Sequence, residues 1–316
     1  MTRPVLLDTD IGSDVDDAIA LVLLLGMADA LNLVAVTTVG SDASLQATIA
    51  SRLLACAGRS EVEVSAGASM SSAGGSFVHF GHEPECVVEG PDACLVEESA
   101  AERIVRAAHE CEGLELVAIG PLTNLAHALA LDPSLPRRVA GLTVMGGHVR
   151  EVKIGDFVCD PGIDYNLCSD AAASMQVLGA GFATTLITAD VTLETWLREG
   201  EVEEIEATGE LGAALARQIR HWMPVQRALF EGIGGTLAAD NAAFLHDPLA
   251  LLSLTEPSCV RLETLHIVPT IQNGIFRTFE VDSSLGIGSP MRVATGVDGV
   301  AVSRRIATRL LDFLNA

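Results

Sequence analysis

Asp8, Asp10, Asp14, Asp16 and Asp17 fall within one ten-residue stretch, D8-T-D-I-G-S-D-V-D-D17, that contains no lysine or arginine. Two carboxylates about 4 Å apart repel by roughly 4 kcal/mol at an effective dielectric near 20. A folded chain keeps such a cluster only if the acids are solvated, partly protonated or neutralised by a cation. Asp16 and Asp17 open an apolar run that reads as a helix, whose positive end relieves about 0.3–1 kcal/mol for each. That is too little for five acids. Hard oxygen ligands without thiolate or paired histidine point to Ca²⁺ or Mg²⁺, and several direct protein oxygens favour Ca²⁺, because Mg²⁺ retains most of its water. The EF-hand spacing is not met, since Gly12 and Ile19 stand where that loop needs an oxygen ligand and a glutamate. A solvated acidic turn capping a helix is the plain alternative.

The elements that must position these acids alternate in type. Val5–Leu7 reads as a short buried strand, followed by the acidic turn and a helix over Ala18–Ala30. Leu33–Val39 reads as a strand, Leu45–Ala57 as a helix, Val62–Ser65 as a short strand and Ala100–Glu110 as a helix. Leu114–Ile119, Leu142–Met145 and Thr184–Ile187 are further strands, ending in Gly-Pro, Gly-Gly and Ala189-Asp190. This rhythm predicts an α/β fold with a mainly parallel, Rossmann-like central sheet flanked by helices. Thr264–Thr270 and Thr278–Val281, with Asn273-Gly274 between them, read as a hairpin, and Asp298–Leu314 as a closing helix. No linker or internal repeat divides the chain, so a single domain over residues 1–316 is expected. The Gly-, Ser- and His-containing stretch Gly67–Pro91 reads as a mobile flap or an ordinary surface loop.

Composition bounds the partners. A formal charge of −23 over 316 residues argues against nucleic acid polymers and anionic membranes, which need a basic surface. Lys153 is the only lysine. Seven scattered cysteines form no C-x-x-C pair, so a disulfide framework or thiolate zinc site is not expected, and a reducing cytoplasm is. Ala18–Leu25 is too short to span a bilayer, and no basic region with an apolar signal core opens the chain.

In open parallel sheets, ligands sit beyond the carboxyl ends of the strands. Read in order, those ends offer Asp8/Asp10, Asp42, Thr123-Asn124, Met145-Gly146-Gly147 and Asp190, joined by the motifs Asp164-Tyr165-Asn166 and His246-Asp247-Pro248. Almost every one supplies an oxygen ligand or an amide. No dinucleotide fingerprint follows the first strand, and neither a P-loop nor G-x-S-x-G occurs.

D8-T-D-I-G-S-D-V-D-D-A-I-A-L21 resembles the N-terminal signature of the inosine–uridine-preferring nucleoside hydrolase family. Ala35-Val-Thr-Thr-Val-Gly40, Gly120-Pro-Leu-Thr-Asn-Leu-Ala126, Val144-Met-Gly-Gly147, Asp164-Tyr165-Asn166 and His246-Asp247-Pro248 continue the match in the family's order. The resemblance implies an N-glycosyl hydrolase that splits ribonucleosides, or a ribosylated analogue, into free ribose and base. It implies a bound Ca²⁺ held by Asp10, Asp17, Asp247 and the Thr123 carbonyl, with the ribose diol and one water completing the shell. Calcium would acidify that water and Asp10 would take its proton. Asp16 and Asp42 match positions at the 2′ side of the sugar, Asp164 and Asn166 the 3′ and 5′ side, and Met145 the sugar pocket; Asn166 counts with the catalytic group as well. A homodimer or homotetramer is implied too.

The chemistry agrees, because an oxocarbenium-like sugar is stabilised by anionic surroundings. His246 is the first candidate for protonating the leaving base and His82 the second. Trp222 either stacks on the base or packs in the core. Three departures from the family pattern bear on substrate choice. The first motif is two residues longer, with Ile11 in place of proline; Asp42 replaces asparagine; Asp164 replaces glutamate, one methylene shorter. Asp14 has no assigned role, and Asp8 supports the turn through hydrogen bonds.

Two other classes share part of this pattern. Asp8-x-Asp10 with Gly155-Asp156-x-x-x-Asp160 superficially resembles the haloacid-dehalogenase-type phosphatases, but the Gly-Thr that follows the acid pair there is absent and two motifs stay unexplained. A nucleoside or ribose binder with lost or altered turnover is the non-enzymatic alternative.

Overall fold

Three consecutive apolar residues on the first strand divide between two cores: Val5 and Leu7 pack in one, Leu6 in the other. Side chains alternate along a strand, so this pattern requires a sheet covered on both faces. In the computed structural model, which describes residues 2–162 and 164–316, the chain opens with β1 (Arg3–Thr9), α1 (Asp16–Leu25), β2 (Leu31–Thr38), α2 (Ala43–Cys56), β3 (Glu63–Ala66) and β4 (Cys94–Val96). Next come α3 (Ala100–Glu110), β5 (Glu115–Ala118), α4 (Thr123–Leu131), β6 (Gly141–Met145) and a small hairpin, β7 (Val152–Ile154) with β8 (Phe157–Cys159). Then follow α5 (Tyr165–Ser169), α6 (Ala171–Leu178), β9 (Thr184–Ile187), α7 (Ala189–Thr192), β10 (Trp196–Arg198), α8 (Glu199–Glu206), α9 (Glu210–Gly232) and β11 (Asn241–Phe244). The chain closes with α10 (His246–Thr255), β12 (Val260–Gln272), β13 (Ile275–Val281), β14 (Ser289–Val297) and α11 (Gly299–Leu314).

The ten-stranded sheet runs β13-β12-β14-β9-β6-β5-β1-β2-β3-β4. From β14 to β4 every pairing is parallel, and β12 pairs antiparallel with both β13 and β14. The expected mainly parallel, single-domain α/β fold is therefore present. One core lies against α1, α2, α9, α10 and α11. The other lies against α3, α4 and α6. After β4 the chain restarts on the opposite side of β1 with β5, so β1 marks the point where the strand order reverses. Loops leaving β1 and β5 part there, which opens a crevice at their carboxyl ends.

The element boundaries differ from expectation for local reasons. The first helix covers Asp16–Leu25, shorter than the 18–30 span, and stops at Gly26. A Cβ at Gly26 would lie 2.9 Å from the Phe313 Cβ of α11, so the chain turns where two backbones approach closely. The late hairpin is longer than its apolar run, and its turn residues Asn273 and Gly274 take φ of 53° and 78°, as a tight two-residue hairpin turn requires. Asp298 caps the closing helix by accepting the Ala301 N–H.

Asn124, fully buried on α4, links four parts of this frame. Its Nδ2 donates to Asp8 Oδ1 at 2.7 Å and to the Thr38 carbonyl at 2.9 Å, and its Oδ1 accepts the Ala68 N–H at 3.0 Å. Gly67 is needed beside it, because a Cβ there would lie 2.2 Å from Asn124 Oδ1. Asp8 also accepts from Thr37 Oγ1 at 2.6 Å, so it ties β1 to β2 and α4 and leaves the acidic turn to other groups. Substituting Asn124→Ala is expected to destabilise the protein by about 3–5 kcal/mol, one of the three lost bonds being to a carboxylate. Urea unfolding measures this, and a change under about 1 kcal/mol would remove Asn124 from that role.

Candidate active site

The floor of the crevice is built where β1 ends. The chain leaves the sheet at Asp10 and turns at Gly12 (φ 114°), where a Cβ would press on Ile49 at 2.7 Å. This turn delivers Asp16 and Asp17 to the first turn of α1. Gln46 Nε2 donates to the Asp10 carbonyl at 2.8 Å, and the Thr9 hydroxyl donates to Asp17 while accepting the Ile11 N–H at 3.2 Å. Gly120, leaving β5, passes so close that a Cβ would lie 2.8 Å from Asp10 Oδ1. From far along the chain, Asp247 arrives on the first turn of α10 and its N–H donates to Asp16 Oδ2 at 3.2 Å. Carboxylate oxygens of Asp16, Asp17 and Asp247 all lie within 4.8 Å of one another.

This arrangement is electrostatically unfavourable as it stands. Asp10, Asp16, Asp17 and Asp247 are each at most 7% exposed. Burial, then the charges of Asp16 and Asp8, push Asp10 well above the ordinary carboxylate range. Burial followed by neighbouring aspartates does the same to Asp17 and Asp247. No lysine or arginine contributes to any of the three shifts. A buried all-oxygen donor set with excess negative charge fits a hard divalent cation.

Above the acids lies a cavity of about 510 Å³. Met145, Asp164 and Asn166 form one side of it. Asn166 Nδ2 donates to the carbonyls of Ile119 (2.7 Å) and Met145 (3.1 Å), which fixes the amide between the ends of β5 and β6. Asp164 caps α5 by accepting the Leu167 N–H at 2.8 Å. Burial pushes Asp164 up to about 6, against hydrogen bonds from the Leu167 and Gly147 N–H groups. His246 lines the cavity with its Nδ1 2.6 Å from Thr192 Oγ1. Burial lowers its pKa, and the Asp16 carboxylate opposes this. The roof is aromatic: Phe80 meets Trp222 edge-on at 5.2 Å between centroids, and Phe230 and Leu229 continue the wall.

Three expected residues do not line the cavity. Asp42 is exposed and caps α2, accepting the Leu45 N–H at 3.0 Å. It is not at the sugar pocket, because capping turns its carboxylate onto its own helix; Gln46, one helical turn later, reaches Asp10 instead. Thr123 is wholly buried, with its hydroxyl donating to Asp170 at 2.9 Å. His82 stands behind the wall, with Nε2 2.8 Å from the Ser13 carbonyl and its ring 5.7 Å from Trp222.

The 67–91 segment is neither a detached flap nor an idle loop. Its Glu83 is buried and accepts from Ser13 Oγ, Phe80 N–H and Gly81 N–H, and Gln218 of α9 donates to the Cys86 carbonyl at 2.8 Å. Val78 and Phe80 thereby reach the cavity wall. Sequence reading missed Gln46, Phe80, Tyr165 and His148 at this site. Only Gln46 carried a signal, its one-turn spacing from a capping aspartate.

Comparison with known proteins agrees with this geometry. The sequence model of the family described as inosine-uridine preferring nucleoside hydrolase matches residues 5–304. The pyrimidine-specific ribonucleoside hydrolase RihA of Shewanella woodyi is 30% identical over 269 residues, covering 81% of this chain and 80% of that protein. A probable uridine nucleosidase of Arabidopsis thaliana is 25% identical, with 98% of each chain covered. Among solved structures, a purine-preferring ribonucleoside hydrolase from Gardnerella vaginalis superposes with a TM-score of 0.84 at 25% identity, covering 99% of both chains.

Asp164 supplies a pH test of this wall. A carboxyl raised to about 6 in the fold contributes stability that is present below the unfolded value near 3.8 and is lost as pH rises through 6. Asparagine also caps helices but does not ionise. Asp164→Asn is therefore expected to gain stability relative to the parent between pH 4 and pH 7.5, by up to about 3 kcal/mol. Urea unfolding of both proteins at the two pH values checks it, and a difference independent of pH would refute the raised pKa.

Proposed function

The chain belongs to the inosine-uridine preferring nucleoside hydrolase family, N-glycosyl hydrolases that cleave ribonucleosides to ribose and base, and from that premise we propose how its own residues divide the work. The carrying observation is the buried set of aspartates at the end of β1, joined by Asp247, with no lysine or arginine among the causes that shift Asp17 and Asp247. We assign Asp10, Asp17 and Asp247, with the Thr123 carbonyl, to a Ca²⁺ site, and Asp16 to the edge it shares with the sugar. Bound calcium supplies the positive charge that makes this cluster tenable and acidifies a water.

The protein's side chains do the rest. Asp10 takes the proton from the attacking water, held by the Gln46 bond to its carbonyl and by the tight passage of Gly120. Anionic surroundings stabilise the electron-poor sugar as the bond to the base lengthens. Met145, Asp164 and Asn166 orient the ribose. His246 gives a proton to the leaving base from its imidazolium form and is left as neutral imidazole, with Nδ1 2.6 Å from the Thr192 hydroxyl, which itself donates to the Ala189 carbonyl at 3.3 Å. Trp222, Phe80 and Phe230 receive the base by its faces, since the roof is built of rings and aliphatic groups. The relatives differ in base preference, pyrimidine in one and purine in another, and we propose that this face-on wall accepts both classes.

We further propose a homodimer or homotetramer, supported by the exposed apolar side chains Ile271, Phe279, Leu285 and Ile287 on and beside the β12–β13 edge. A reducing cytoplasm is the compartment we propose, supported by seven unpaired cysteines. Among the described residues no helix is long and apolar enough to cross a membrane.

Two measurements test this reading. Calcium-loaded protein should release free ribose from uridine and inosine, and lose that activity in chelator with recovery on added Ca²⁺; no sugar release from a broad nucleoside panel would end the proposal. Asp10→Asn should lower kcat by about 10²–10⁴-fold with little change in far-UV circular dichroism, as expected for loss of a general base. Near-normal turnover in that variant would move the base elsewhere.

A further inference from the structure

The end of the cavity away from the aspartates is built of different material. Ile154, Leu193, Leu229, Phe230 and Ile233 line it, and none of these side chains can form a hydrogen bond. Cys159, which also lines the cavity, has its thiol turned back on the Asp160 carbonyl at 3.8 Å. Two elements are locked together to make this wall. The Thr236 N–H donates to the Ile154 carbonyl at 3.2 Å, and a Cβ at Gly235 would lie 2.9 Å from Ile154 Cγ2. Gly155, with φ of 65°, approaches as tightly, since a Cβ there would lie 2.8 Å from the Thr236 carbonyl oxygen. The β7–β8 hairpin is thus docked on the segment that follows α9, and the apolar wall is a built feature of the fold.

His246 relates this wall to the reaction. Its ring interacts electrostatically with the Asp16 carboxylate and lies 5.2 Å from Phe244, which in turn lies 5.0 Å from Phe230. Leu193 directly follows Thr192, whose hydroxyl meets the same ring. The wall therefore lies beyond the leaving-group acid as seen from the floor. A base that takes its proton from His246, with its sugar on the aspartates, turns toward this wall the edge opposite the glycosidic bond. On an ordinary base that edge carries carbonyl, amino or ring N–H groups. Against such a wall they lose water and gain no partner, which costs affinity. An alkyl or aryl group on the same edge gains by burial instead. The rim repeats the chemistry, for Ile233 and Val78 are each 53% exposed and Leu229 45%. Apolar surface gathered at a cavity mouth marks a place for an apolar ligand group.

We propose that this wall receives an apolar substituent on the outer edge of the base, so that the preferred substrates are nucleosides with an alkyl- or aryl-substituted base; this rests on the ribohydrolase reading above. The substituent touches neither the breaking bond nor the attacking water. It acts through binding, lowering KM and leaving kcat near its value for the unsubstituted base.

The test is a ladder of substrates for the calcium-loaded enzyme: adenosine and its N6-methyl, N6-propyl and N6-pentyl derivatives. In the parent, kcat/KM is expected to rise about two- to fourfold per added methylene, and at least about tenfold from N6-methyl to N6-pentyl, with the gain carried by KM. Ile233→Ser and Leu229→Ser, at exposed positions where the fold tolerates change, should flatten the ladder. Ile233→Trp, which fills the space, should move the optimum to a shorter chain. A flat or falling ladder in the parent would overturn the proposal, as would slopes in both serine variants equal to the parent's. A flat parent ladder together with a change of oligomeric state in Ile233→Ser, read by size-exclusion chromatography, would overturn it by assigning the rim to a second copy of the chain. If the parent releases no ribose from any member, the ribohydrolase reading has failed instead. Calorimetric titration of the same four nucleosides into the calcium-loaded protein then carries the test, and equal affinity along the ladder rejects the role of the apolar wall.

Discussion

Mutual repulsion among buried aspartates is the constraint from which the rest of this molecule follows. Asp10, Asp16, Asp17 and Asp247 stand where water is scarce, and the His246 ring beside Asp16 relieves the repulsion only in part. Isolated buried charges are expelled from a protein interior or neutralised within it. Here the neutral hydrogen-bonding groups around them supply direction without charge: Thr9 for Asp17, the Asp247 N–H for Asp16 and Gln46 for the Asp10 backbone. The surrounding fold must therefore be stable enough to hold like charges together until a cation arrives. Two apolar cores, one on each face of the sheet, provide that stability, and α1 is buried along its whole length.

The same constraint explains the division of the cavity. Its floor comes from strand ends and helix first turns, the most rigid parts of an α/β fold, as donors to a cation must be. Its roof comes from α9 and the 67–91 segment, which meet through Phe80, His82 and Trp222. These two parts are joined by Ser13, which lies on the acidic turn and touches both His82 and Glu83. Among similar proteins, one is described as pyrimidine-specific and another as purine-preferring.

How much of this could be read from the chain depends on the range of the interaction. The acidic turn, the parallel sheet and the Ala100–Glu110 helix were legible because each rests on local pattern: apolar runs, glycine at turns, and a Ser99–Glu102 capping box. His246-Asp247 was legible by resemblance, and the bond from Asp247 to Asp16 then joins residues 231 positions apart. Asp42 was misread because an aspartate after a strand has two uses, ligand or helix cap, and only the direction of the following helix decides. Insertion of β14 between β9 and β12 had no local signal, since edge strands of similar composition pair by default with their sequence neighbours. Phe80 escaped because nothing in its own neighbourhood distinguishes a wall residue from a packed one, whereas Tyr165 was named only as part of the Asp164-Tyr165-Asn166 motif.

The departures from the family pattern also take on a connected meaning. Asp164 is shorter than the glutamate of the pattern, and its one fixed oxygen is spent on the Leu167 N–H. Asp42 faces its own helix and leaves the sugar to others. Asp42 thus adds a carboxylate outside the cavity, while Asp164 stays on its wall and the aspartate floor lies beneath. Asn166, fixed by the Ile119 and Met145 carbonyls, presents a neutral group at the cavity wall. A neutral group there adds no further negative charge above a floor already crowded with buried carboxylates.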